Sequence, residues 1–170
     1  DDSTVGFNLR LTDAQAAFGL AQLKRLPNIL KTFRKNAKYI MKNLPEIISP
    51  PVIPKGIEHS FLILGCKYDQ KKAIISKETF LDRLTKNRKK FLIKEQISDI
   101  KGLNFRPGKI ISSGYKTTQY NIPLYRKFRP KKKLINSENF LKTSFFLDIH
   151  RWRTQTEIDE ELKILDRTYQ

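Results

Sequence analysis

Two donor side chains stand two residues apart just ahead of a helix start, Asn8 and Arg10 in the stretch Gly6-Phe7-Asn8-Leu9-Arg10-Leu11-Thr12-Asp13-Ala14-Gln15. An amide and a guanidinium in front of a helix N-terminus add to a local field that favours anions, and both side chains match phosphate or carboxylate oxygens. The element that must position them is a helix opened by Thr12 and Gln15, whose spacing makes a capping box. Ala16, Ala17, Gly19, Leu20 and Leu23 give that helix a face slim enough for another backbone to pack closely. The plain structural reading of the same residues is an ordinary capped core helix with two exposed polar residues in front of it.

The chain has 170 residues, 39% hydrophobic and 11% aromatic, enough for one compact domain with its own core. No apolar run approaches a membrane span, and the first residues have neither the basic segment nor the apolar stretch of a signal peptide, so a cytoplasmic protein without a membrane partner is expected. Cys66 is the only cysteine, which excludes an internal disulfide framework and a cysteine-rich metal site. It reads as a small buried hydrophobe. No metal site is expected.

The net charge of +17 raises nucleic acid as a partner class. Yet the basic residues are scattered among many Ile, Asn, Phe and Tyr residues, the profile of an AT-rich coding sequence. Two denser runs remain, Arg83 to Lys90 and Arg126 to Lys133. The second could hold a diphosphate or a phosphodiester, or be a solvated loop, and no RNP, zinc-finger or helix-turn-helix pattern accompanies either run.

Helical spacing continues beyond Pro27 through Ile29, Leu30, Phe33, Ala37, Ile40, Met41 and Leu44, which predicts a long helix, kinked or restarted at the proline and ending near Leu44. Pro50-Pro51 and Pro54 with Gly56 form a connector into an extended run from Ser60 to Tyr68. Ser76 reads as the N-cap of a helix with Phe80, Leu81 and Leu84 inward. Phe91-Leu92-Ile93 reads as a short strand, and residues 102–114 as a loop over a site or an edge. A short helical segment at Glu138 to Lys142, a strand from Phe145 to Ile149 and a final helix capped by Thr154 and Glu157 complete the chain. This order predicts an α+β fold: a long bent N-terminal helix followed by a small, mainly antiparallel sheet covered by helices.

The whole pattern from Gly6 to Leu23 resembles the segment that opens the C-terminal part of DegT-type sugar-nucleotide aminotransferases, which depend on pyridoxal phosphate. Glu58-His59-Ser60-Phe61 is similar to the family's start of the first small-domain strand. Gly114-Tyr115-Lys116, Gln119-Tyr120 and Pro123-Leu124-Tyr125 resemble elements of its active-site loop. Ile149-His150-Arg151-Trp152-Arg153 departs from it, lacking the proline usual before the last helix.

The resemblance implies the small domain of fold-type I aminotransferases at 49–170, preceded at 1–48 by an interdomain, dimer-interface turn and helix. It implies a homodimer in which Asn8 and Arg10 reach the cofactor phosphate of the neighbouring subunit, with Tyr115, Tyr120 and His59 facing a sugar-nucleotide pocket. Each of these last three also reads as a buried aromatic or a satisfied polar residue. The Schiff-base lysine of such enzymes belongs to a large domain that precedes this segment, and no lysine here matches its context. The expectation is therefore the C-terminal part of an enzyme that transfers an amino group to a keto-sugar nucleotide, with no catalytic residue of its own and inactive alone. Alternatives are a deoxysugar dehydratase of the same fold family, in which a histidine replaces that lysine, and a basic nucleic-acid-binding module.

Overall fold

The computed structural model describes residues 10–94, 111–112, 117–149 and 154–169. Its first element, α1, runs unbroken from Asp13 to Lys42, about 45 Å at the rise of an α-helix. The capping box forms as the spacing predicts: the Gln15 amide donates to Thr12 Oγ1 at 3.3 Å and the Thr12 amide to Gln15 Oε1 at 3.0 Å. Pro27 lies inside the helix without restarting it. Proline removes one amide donor and crowds the carbonyl four residues back, here Leu23, but both residues face solvent and water can serve that carbonyl. The helix ends at Asn43, whose amide donates to the Ile40 carbonyl and whose side chain donates to the Tyr39 carbonyl at 2.8 Å.

Four strands form one antiparallel sheet in the order β1-β2-β4-β3: β1 Ile48–Ser49, β2 Ile63–Tyr68, β3 Ile111–Ser112 and β4 Ser144–Asp148. The central pair sets Leu64 opposite Leu147 and Cys66 opposite Phe145, so alternation puts these four on one face, where they are buried with Tyr68 and Ile149. Gly65 and Phe146 pair on the other face, and the Phe146 ring lies so close that a methyl group on Gly65 would meet it at 3.3 Å.

Helices α2 (Lys77–Lys94) and α4 (Gln155–Tyr169) complete the core, with Phe80, Leu84, Ile158, Ile164 and Leu165 all buried. Ser76 and Thr154 cap these helices as predicted, accepting from the amides of Thr79 and Glu157. The inward stripes, residues 77, 80, 84 and 88 of α2 and 158, 161, 165 and 168 of α4, follow the three-and-four spacing of one helix face. The α2 stripe carries Lys77 and Arg88 and the α4 stripe carries Glu161; Arg88 lies 3.4 Å from one Glu161 oxygen and 3.5 Å from the other, with both side chains almost wholly buried.

The structure changes three expectations. Residues 91–93 are the end of α2, not a strand, because nothing between Leu84 and Phe91 interrupts the helix: residues 85–90 hold neither Gly nor Pro. Within 102–114, Ile111–Ser112 is an edge strand on β4, and the rest of that stretch lies outside the described residues. The extended run toward Tyr68 becomes regular only at Ile63, since Phe61 adopts a left-handed backbone with φ 52°. The predicted helix at 138–142 is the core of α3, Ile135–Thr143.

The stripe on α1 spans more than this core. Gly19, Leu23, Leu26, Leu30, Phe33, Ala37, Ile40 and Leu44 alternate four- and three-residue steps, a heptad-type seam. Its second half packs on the domain: Ala37 and Ile40 are buried, and Phe33 and Leu44 lie against the core. Its first half is bare, with Leu23 61% and Leu26 41% exposed.

Candidate functional site

Arg10 is exposed immediately before the Thr12 cap, at the bare end of α1. Asn8, its proposed companion, lies outside the described residues. The first turn also contains Asp13, whose carboxylate opposes an incoming anion at the helix start. The helix dipole at this end is therefore partly offset by a carboxylate.

His59 belongs to a second cluster, built by a constrained turn. Its ring nitrogen Nδ1 accepts a hydrogen bond from the Phe61 amide at 2.9 Å, and the two rings lie 4.5 Å apart. That bond makes Nδ1 the acceptor, so in the neutral ring the proton sits on Nε2. A phenylalanine in the left-handed region is strained, on the order of 1–2 kcal/mol; here ring burial and the amide bond hold it. Arg34 of α1 ties the turn to the long helix, donating from Nε to the His59 carbonyl at 3.1 Å and pairing with Glu58 at 2.9 Å. Sequence reasoning singled out His59 but missed Arg34 and the Phe61 backbone. Arg34 has no signature in a helix already rich in cations, and a positive φ at Phe has no sequence signal.

Tyr120 stands in a third cluster. It is half-buried, and its hydroxyl donates to Glu138 Oε1 at 2.9 Å, while Glu138 Oε2 lies 3.8 Å from Lys133 Nζ. Its polar end is thus committed inside the chain. No hydrogen bond, ion pair or ring contact joins this cluster to that of His59 among the described residues. Tyr115 lies outside the described residues.

The described residues do not make a complete cofactor site. Lys77 has its ammonium pKa lowered, by burial first, but Nζ donates to the backbone carbonyls of Leu141 at 2.6 Å and Ser144 at 3.2 Å, and the residue is 4% exposed. It bolts α2 to the end of α3 and is not placed to condense with an aldehyde. Cys66 is buried too, and burial pushes its thiol up to about 12. No group of three or more metal-ligating side chains occurs among the described residues, and no helix among them is long and apolar enough to cross a membrane.

The buried thiol gives a pH test with a definite sign. Folded Cys66 stays neutral up to about 12, while an unfolded thiol ionises near 9.0, so high pH favours unfolding. Its stabilisation is complete below pH 9 and declines through the window up to 12, with a loss of about 1.4 kcal/mol at pH 10. Lys77, lowered from 10.5, acts oppositely, and the raised Tyr68 adds to the loss. The difference between wild type and Cys66→Ala in urea midpoints from pH 8 to 11 isolates the thiol. A difference that does not vary with pH would refute its buried, neutral state.

A long leading helix and a small antiparallel sheet backed by helices form the architecture found in fold-type I aminotransferases. The structure aligns over 98% of its length with Helicobacter pylori PseC, described as an aminotransferase involved in the biosynthesis of pseudoaminic acid, at TM-score 0.73 and 19% identity. It aligns equally over 98% with an aminotransferase from Psychrobacter cryohalolentis at TM-score 0.75 and 19% identity. The chain spans only 40% and 41% of these two proteins, and at such identities the likeness shows the fold.

Residues 1–96 match the DegT/DnrJ/EryC1/StrS aminotransferase family, and the chain belongs to that family. A stretch of 58 residues is 36% identical to the lipopolysaccharide biosynthesis protein RfbH of Salmonella typhimurium, covering 34% of this chain and 13% of that protein.

Proposed function

We propose that these 170 residues are the C-terminal part of a pyridoxal-phosphate-dependent aminotransferase that moves an amino group onto a keto-sugar nucleotide. In this reading residues 1–48 form the turn and helix at a subunit interface, and 49–170 form the small domain. The large domain that holds the cofactor and its lysine lies outside this chain. Asn8 and Arg10 contact the cofactor phosphate held by the neighbouring subunit, and His59, Tyr115 and Tyr120 line the approach of the sugar nucleotide.

The half-covered seam of α1 carries this reading. Leu23 and Leu26 continue a stripe that is core further along the same helix, while Leu11, Phe18 and Leu20, each more than 60% exposed, extend the apolar surface to other sides. A helix apolar over so wide an arc is buried on several sides in the finished protein. At Gly19 a methyl group would meet nothing within 4 Å, so the space beside the smallest residue of the seam is open for another backbone.

This open space allows a clean test. Gly19→Leu is expected to stabilise the isolated chain by about 0.5–1 kcal/mol, the helix-propensity gain over glycine. The same change obstructs close approach and is expected to abolish self-association seen by sedimentation equilibrium. A wild-type chain that stays monomeric at all concentrations, or a leucine variant that associates as well as wild type, would refute the interface.

For the reaction, the isolated chain supplied with pyridoxal phosphate, glutamate and a keto-sugar nucleotide is expected to show no amine transfer. Addition of a family large domain is expected to restore it. Turnover by the chain alone would overturn the division of labour.

A further inference from the structure

Six of the eight residues from Arg126 to Lys133 are cationic: Arg126, Lys127, Arg129, Lys131, Lys132 and Lys133. Nothing in the reading above uses them. Of the six, only Lys133 has a carboxylate within ion-pair distance among the described residues, and Glu138 there already serves Tyr120. Lys127 places its ammonium 5.0 Å from the centre of the Phe128 ring, leaving its charge uncompensated by any acid.

Apolar side chains are interleaved with this charge. Residues Pro123–Phe128 form a 3-10 helix, in which positions three apart eclipse one another. It is therefore a three-sided prism with Tyr125 and Phe128 on one ridge, Leu124 and Lys127 on the next, and Pro123 and Arg126 on the third. Leu124 is 73%, Tyr125 43% and Phe128 69% exposed, and at the far end of the cationic run Leu134 and Ile135 are 47% and 65% exposed.

The combination selects among anionic partners. A single diphosphate group carries too few charges to compensate five unpaired cations. A polynucleotide supplies the charge, and Tyr125 with Phe128 could stack on its bases, yet it leaves Leu124, Leu134 and Ile135 against water. An anionic bilayer surface satisfies both sets, with headgroups taking the cations and the interface taking the apolar side chains. We propose that the strip from Leu124 to Ile135 is a docking surface for anionic phospholipid membranes. Contact of this kind lies on the bilayer and needs no spanning segment.

The test is co-sedimentation of the chain with vesicles of phosphatidylcholine, with and without phosphatidylglycerol. Binding is expected only with phosphatidylglycerol and falls as salt is raised. Lys127→Glu with Lys131→Glu and Lys132→Glu is expected to weaken binding by at least about a hundredfold, given the contribution of each cation near such a surface. The same charge change at the exposed Lys35, Lys38 and Lys42 of α1 is expected to leave it within a few-fold. Leu124→Ser with Phe128→Ser is expected to weaken vesicle binding while leaving retention of single-stranded DNA unchanged. All variants alter exposed side chains, and an unchanged melting temperature verifies folding.

Equal losses from the two charge-reversed triples would overturn the proposal in favour of net charge alone. Loss on Leu23→Ser with Leu26→Ser and not on the strip variants would overturn it in favour of the bare α1 seam. Displacement from vesicles by an oligonucleotide, with no effect of the Leu124 and Phe128 changes, would replace the membrane with a nucleic acid.

Discussion

Glu161→Ala is expected to lower the unfolding free energy by about 3–5 kcal/mol, because it takes the carboxylate away from the buried Arg88 guanidinium in the contact between α2 and α4. Total stability in domains is about 5–15 kcal/mol, so this one change removes a large share of it. The melting temperature is expected to fall by roughly 10 °C. The pair is not itself the main source of stability, since taking two charges out of water costs about what their attraction returns. Arg88→Met combined with Glu161→Leu is therefore expected to be close to neutral, or stabilising. Denaturant unfolding of the single and double variants decides this; a double variant as damaged as Glu161→Ala would show that the residues act through other partners.

Phe80→Ala is the second large effect, at about 3–5 kcal/mol for a buried aromatic ring. Phe80 is wholly buried, its ring centre 4.9 Å from that of Tyr68 and 6.0 Å from that of Phe145. It joins α2 to both central strands, and truncation leaves a cavity that neither ring can fill without leaving its own packing. Phe80→Leu, which keeps much of the volume, is expected to cost less than half as much. Equal costs for the two variants would mean that the site collapses around the smaller side chain. Any loss of assembly in Phe80→Ala is expected to follow the loss of folding, whereas Gly19→Leu separates the two.

The sequence showed most clearly what local chemistry dictates. Thr12 with Gln15, Ser76 alone, and Thr154 with Glu157 announced three helix starts through hydrogen bonds between near neighbours in the chain, and all three form. The extended run up to Tyr68 and the apolar run from Phe145 to Ile149 marked the central strands, and their alternation, with Leu64, Cys66, Tyr68, Phe145 and Leu147 buried on one face, came from the structure. Long-range decisions were less legible. An apolar triplet at 91–93 looks the same at the end of a helix as in a short strand, and continuity with α2 settled it.

Parts of the candidate site followed the same division. Arg10 at a helix start could be read from its neighbours, as could the cation run at 126–133. The clasp of Arg34 on Glu58 and His59 joins positions 24 and 25 residues apart and leaves no local trace. The meeting of Arg88 and Glu161, 73 residues apart, is equally silent, since either charge alone reads as solvent-facing. The partners of a buried charge are a property of the packed layers, and a linear pattern carries no record of them.

The uneven support of α1 has a dynamic consequence. Beyond Leu30 toward its start the helix is a cantilever held at one end, with about 17 residues that little else among the described residues restrains, and an isolated helix of that length is marginal in water. Amide hydrogens from Ala17 to Leu26 are therefore expected to exchange with solvent far faster than those around Ala37 and Ile40, which open only when the domain does. Any surface that comes to lie along the bare half has to quench this fraying, so its affinity is reduced by the ordering it imposes. In return, the residues in front of the cap reach a fixed position only once that surface is in place.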